Sequence, residues 1–403
     1  MVLTATDRFT TSVQDFAVMS KHLTLARLNF CYVADTQNIN DMTLLDWLAV
    51  FILLLAPLML VWLFAKEKRW PAVLAGRKPL SSPIKKTETA FKVDKSEQSM
   101  GDIIPLTCFD WKTEEPRLKN TNINFIIHID RQFQERCKAR HEILRTHPNA
   151  LTCRPGAEAM VDELYAYLVN DYLPHRYPTI FQFQPQKGAR PQLLNNVTTD
   201  SLPLTPPQDR IEVLRLLAVN IDEDFLMLLP SSDGDGYSLE SVIWCYPVGF
   251  DAGDKIGMKL RDLHKPVPGY KEIMQSSMDR YFGRLAPGKV IYRVNWAIAT
   301  NDNLCEDGEY HLYEGQEASD TEVDISKCYV RCELQTLFAL PKSGGRILSV
   351  HLYLYPLQQI MDEGLGEQMI EAIDGLKQGN VPGFWRYKRA PVWHEKVKEF
   401  LSS

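Results

Sequence analysis

The sequence predicts an α+β domain preceded by a single N-terminal transmembrane helix, and three observations carry this. Residues 47–65 are apolar without a charge. Residues 130–146, 157–173 and 209–219 repeat apolar side chains at helical spacing. Residues 224–229, 237–246, 290–299, 329–340 and 346–355 are apolar extended runs, two pairs of which are joined by glycine turns.

Taken in order, residues 1–42 form a short N-terminal segment without a signal-peptide pattern. Residues 43–65 are the expected transmembrane helix, since a bilayer needs roughly 20 apolar residues and tolerates a proline such as Pro57. Asp41 and Asp46 lie toward one end, and Lys66, Lys68, Arg69 and Trp70 follow the other. Basic residues on the C-terminal side place residues 66–403 in the cytosol, with the endoplasmic reticulum as the expected membrane. The sequon at Asn196 is then expected to be unglycosylated. Residues 66–105, rich in Lys, Ser, Thr and Pro, read as a flexible linker, and aromatic residues return at Phe109 and Trp111 to open one domain over 106–403.

Within that domain, Val161, Leu164, Tyr165 and Leu168 make the buried stripe of a helix that Pro174 and Pro178 close. A polar, turn-rich span leads to Pro206-Pro207 and the next helix. Ser232-Asp233-Gly234-Asp235-Gly236 joins two extended runs as a β-hairpin, and Ser343-Gly344-Gly345 joins another pair. Pro356 starts a final helical part with Ile360, Met361, Met369, Ile370 and Ile373 turned inward.

A net charge of −6 without a concentrated basic face argues against a nucleic-acid partner. The eight cysteines include no CxxC pair. Cys328 and Cys332, four apart in an extended run, stand roughly 13 Å apart by the strand rise, too far for one metal or disulfide. Free thiols in a reducing compartment are expected. Hydrolase, dinucleotide, P-loop and HExxH signatures are missing, and Asp233-Gly234-Asp235-Gly236 lacks the glutamate of a calcium loop.

Histidine remains. His141, His147, His175 and His394 read as surface or capping residues, and His351 shares one strand face with Ser349 and Tyr353 as a structural histidine. His264 lies in Arg261-Asp262-Leu263-His264-Lys265-Pro266-Val267-Pro268-Gly269-Tyr270, where two prolines predict a stiff loop able to aim an imidazole. Such a side chain is either a metal ligand or a brace for its own loop. Downstream, Arg293, Asn295 and Trp296 interrupt a core-like strand, and the two segments are expected to line one site.

Five ordered motifs carry a family resemblance. They are Trp244-Cys245-Tyr246-Pro247-Val248-Gly249-Phe250, Asp254-Lys255-Ile256-Gly257, the His264 loop, Arg293-Val294-Asn295-Trp296, and the run from Val330 through Arg331, Cys332 and Glu333 to Pro341. In this order the chain resembles the haem-dependent oxidative N-demethylases over residues 109–376. The resemblance implies haem b in a PAS-like antiparallel sheet flanked by helices. It also implies oxidation of a methyl group of a small secondary amine by O2 with release of formaldehyde, and electrons from a separate flavin and iron–sulfur partner. Tyr246-Pro247 and Phe250 depart from the family's usual aromatic pattern there, which bears on the substrate before the haem.

On that resemblance His264 is the expected axial ligand, with His351 the alternative. Arg293, Lys255 and Arg331 are expected at the haem propionates. Tyr270 and Trp296 are expected to wall the pocket, and Glu333 to hold the amine or join an ion pair with Arg331. A non-catalytic PAS-like haem or small-ligand sensor is the second functional class that fits.

Overall fold

The computed structural model describes residues 118–185, 191–249, 251–306, 310–313, 315–318 and 322–403. The chain divides into units 1–82 and 83–403, and all described residues belong to the second. The expected transmembrane helix and linker lie outside them; among the described residues no helix is long and apolar enough to cross a membrane.

Seven strands form an antiparallel sheet: β1 (Lys119–Thr121), β2 (Leu151–Cys153), β6 (Glu223–Pro230), β7 (Tyr237–Ile243), β8 (Val290–Ala299), β9 (Tyr329–Ala339) and β10 (Arg346–Pro356). Their order is β1-β8-β9-β10-β6-β7-β2. β6–β7 and β9–β10 are the two expected hairpins. A small sheet of β3 (Phe181–Gln184), β4 (Gln192–Asn195) and β5 (Ser201–Pro203) occupies the span read from sequence as turns alone. Strands this short carry too few alternations to register as a period.

Helices α1 (Phe133–Thr146), α2 (Glu158–Tyr167) and α3 (Arg210–Asn220) cover one sheet face, where Phe225, Met227, Phe338 and Ile347 join their inward residues in the main core. The Asp209 carboxylate caps α3 by accepting from the Ile211 amide. α2 does not stop at Pro174. It runs on to Arg176 through a wider turn in which the Leu173 amide donates to the Leu168 carbonyl, a spacing that accommodates the missing proline donor.

The final helical part is broken into α5 (Leu357–Asp362), α6 (Gly366–Gln378), α7 (Phe384–Tyr387) and α8 (Ala390–Leu401). These pack on the lower part of the same face around Trp296, Cys332, Tyr353 and Trp393. Across the sheet, α4 (Gln275–Arg284) and the single turns Ala252–Lys255 and Leu260–Leu263 cover one end. Val248 and Tyr310 cover the other end, over Ala297 and Ala299.

No disulfide joins any two of the described cysteines, Cys328 and Cys332 included.

Candidate functional site

Side chains directly opposite one another in an antiparallel sheet share a face, so the register sorts this surface into layers. Ile291, Leu337, Leu348, Leu226 and Val242 make an apolar layer under α4, and Ala297 and Leu354, with Arg331 between them, make a second layer under Tyr310. Between them lie Arg293 opposite Gln335 and Asn295 opposite Glu333. Asn295 is exposed, and Arg293, Glu333 and Gln335 are partly so. A polar belt in mid-sheet, open to solvent and bounded by two apolar clusters, is the composition of a binding surface rather than a core.

The belt is internally tied. Arg293 Nε donates to Gln335 Oε1 at 2.7 Å, and Gln335 Nε2 and Asn295 Nδ2 donate to Glu333 Oε2 at 2.9 and 3.2 Å. Burial pushes the Arg293 guanidinium below its ordinary range, while the Glu333 charge works the other way. Lys388, just past α7, donates from Nζ to Asn295 Oδ1 at 3.2 Å and to the Trp296 carbonyl. Burial lowers its ammonium to about 8, opposed by Glu333 and assisted by Arg293.

His264 meets this belt from the loop side, where Arg293 is close enough to disfavour its charge. The expected stiff loop is shorter than the sequence suggested: it is flanked by the helical turn Leu260–Leu263 and by a wide turn, Tyr270–Met274, that leads into α4. The His264 ring stacks on Tyr270, centroids 4.8 Å apart. Its Nδ1 lies 2.8 Å from the Leu260 carbonyl, and since a carbonyl only accepts, Nδ1 carries the proton and Nε2 keeps its lone pair. Burial lowers its pKa, only partly offset by the Leu260 carbonyl, so the ring is neutral. Gly269, at φ +68°, turns the chain against Val381, and Pro268 packs where a Cβ on Gly383 would come within 2.9 Å.

Two expected site residues are placed elsewhere by the fold. The Trp296 ring points to the opposite face, opposite Cys332 and inside the C-terminal core, because it is one residue out of phase with Asn295. Arg331 is 1% exposed, and its guanidinium donates to the carbonyls of Tyr246, Pro247, Asn303 and Leu304. It staples the loop after β7, with both terminal nitrogens engaged by those carbonyls. Asp224 holds the same loop from below, accepting from the Cys245 and Tyr246 amides at 2.9 and 2.8 Å. Lys255 ends the turn Ala252–Lys255 and is partly buried.

His351 is also on the far face. It is 2% exposed, with Nδ1 3.1 Å from Glu223 Oε1 and Nε2 3.9 Å from carboxylate oxygens of Asp130 and Asp222. Burial opposes its charge, yet Asp130 and Glu223 raise it to about 10, so it is an imidazolium with no lone pair for a metal.

A family model described as haem-dependent oxidative N-demethylase, alpha subunit-like, matches residues 117–398. The chain belongs to that family. The match extends past residue 376, where the sequence resemblance ended, and takes in Lys388 between α7 and α8.

The residues present fit the haem that the family name specifies. A neutral imidazole with Nδ1 bound to a backbone carbonyl is oriented as an iron ligand through Nε2. Leu226, Trp244, Leu263 and Leu348, on the apolar cluster under α4, are only partly buried. Among the described residues Arg293 donates only from Nε, leaving two terminal nitrogens for a propionate.

Three residues of this region escaped the sequence reading: Gln335, Lys388 and His311. His311 stacks on Tyr387 at 4.2 Å and is pushed down to about 4 by burial, with Lys388 acting in the same sense. Its signal was the aromatic-interleaved run His311-Leu312-Tyr313, answered far along the chain by Trp385-Arg386-Tyr387-Lys388.

Proposed function

We propose that the chain is a membrane-anchored, haem-dependent oxygenase that removes a methyl group from a small secondary amine. The observation that carries this is the neutral, carbonyl-tethered His264 set beside the Arg293–Glu333 belt. Residues 106–403 are the proposed catalytic domain and residues 43–65 the proposed anchor in the endoplasmic reticulum, with the domain in the cytosol. The five long strands, numbered one to five along the chain from β6, β7, β8, β9 and β10, lie in the order second, first, fifth, fourth, third. This supports the PAS-like reading.

Bound haem b supplies the oxygen activation: amine and O2, with two electrons and two protons, give the demethylated amine, formaldehyde and water. His264 would bind the iron through Nε2, with Tyr270 fixing the plane of its ring. Arg293 would hold a propionate, with Lys255 the further cation offered to the group. Glu333, already orienting through Oε2 to Asn295 and Gln335, presents Oε1 to the amine nitrogen. Electrons are assigned to a separate flavin and iron–sulfur protein.

The full-length chain reconstituted with haem should show a Soret band and release formaldehyde from a methylamine when given a surrogate reductant. A Soret band without formaldehyde across a panel of methylamines would leave the sensor reading. No Soret band would end both.

A further inference from the structure

The carboxylate proposed to meet the amine is not alone. One Asn295 side-chain amide spans from Glu333 Oε2 (3.2 Å) to Lys388 Nζ (3.2 Å), which sets a partly exposed anion and a partly exposed cation at the two ends of one amide. Among the described residues Glu333 Oε1 takes no hydrogen bond. Two of the three Lys388 N–H groups are used, on Asn295 and the Trp296 carbonyl. The third has no hydrogen-bond acceptor among the described residues, and Nζ lies 5.2 Å from the centroid of the Trp296 ring.

A simple dimethylammonium ion would satisfy Glu333 but bring a second cation up against Lys388. A zwitterion satisfies both groups, with its ammonium on Glu333 and its carboxylate on Lys388. The ammonium and carboxylate of an α-amino acid are separated by a span comparable to one primary amide. We propose that Glu333 and Lys388 together form a zwitterion receptor and that the substrate class is an N-methyl amino acid. The inference rests on the demethylation reading and narrows its substrate; Lys388 is the residue that sets the specificity.

Other charges facing Lys388 do not cancel it. Arg293 on β8 has the same sign, His311 is neutral, and Cys332 on β9 is a buried thiol pushed far up by burial. With Arg293 given over to a propionate, Lys388 remains the cation for the carboxylate. Its own lowered pKa leaves it mostly charged at pH 7.

The test is calorimetric titration of the full-length haem-loaded chain with N-methylglycine and with dimethylammonium at pH 7. N-methylglycine should bind tighter by about tenfold or more, the scale of one added charge-assisted pair. Lys388→Met should erase that preference, and Lys388→Arg, which keeps the charge and a donor for the Trp296 carbonyl, should retain it. Equal binding of the two amines, a preference that survives Lys388→Met, or failure of both to bind would overturn the inference. Formaldehyde release from dimethylamine without any N-methylglycine preference removes this inference alone. N-methylglycine binding without turnover removes the demethylase reading and leaves the receptor.

Discussion

The rings of His264 and Tyr270 lie nearly parallel, 15° apart, and the buried Tyr270 hydroxyl has no hydrogen-bond partner among the described residues. The tyrosine therefore serves through its ring, while its hydroxyl costs stability. Tyr270→Phe should keep haem affinity and leave stability unchanged or raise it by about 1 kcal/mol, measured by urea unfolding. Tyr270→Ala should free the imidazole and speed haem loss to an acceptor protein.

His264→Ala should abolish the Soret band of the reconstituted chain, because no lone pair remains at that position. His351→Ala should keep the band, but it strands the buried carboxylates of Glu223, Asp130 and Asp222. The expected loss of stability is about 3–5 kcal/mol. A His351 variant that loses haem while unfolding normally would reverse the ligand assignment.

The same histidine predicts how stability varies with pH. Its folded pKa of about 10 lies above its unfolded value, so its contribution is full at pH 6 and is lost as pH rises through 10. Glu223, raised by burial to about 7, acts in the same direction between its unfolded value and pH 7. Denaturant midpoints should fall steadily from pH 6 to pH 10, and the upper part of that fall should vanish in His351→Ala.

Arg331→Met should cost about 3 kcal/mol, since it strands the carbonyls of Tyr246, Pro247, Asn303 and Leu304. Under conditions where the variant is folded, haem affinity should be close to wild type. Arg293→Met should show the opposite pattern, with weakened haem binding and modest loss of stability.

N-methylglycine binding should weaken as pH rises through about 8, where the Lys388 ammonium titrates. Lys388→Arg should move that midpoint beyond pH 10. Calorimetry across pH 6–10 reads both.

Much of this was legible locally. Residues 290–299 were read as a strand and form β8 over those residues, and the two glycine hairpins fall where the turn chemistry put them. The His264 loop was also legible, because two prolines around Val267 restrict the backbone whatever surrounds it. Alternation alone implies that Arg293 and Asn295 share a face and that Trp296 does not, although the three had been grouped as one pocket.

The partners of those residues were decided by tertiary structure. Nothing near Asn295 in sequence announces Lys388, 93 residues later, and nothing near Arg331 announces the four carbonyls that occupy it. Propensity, turn chemistry and period act over a few residues, so the sequence by itself determined the five long strands, the stiff loop that carries His264, and the family. Which charge stands beside Glu333 depends on where the C-terminal helices dock against the open edge of β8, and only the packed chain decides that.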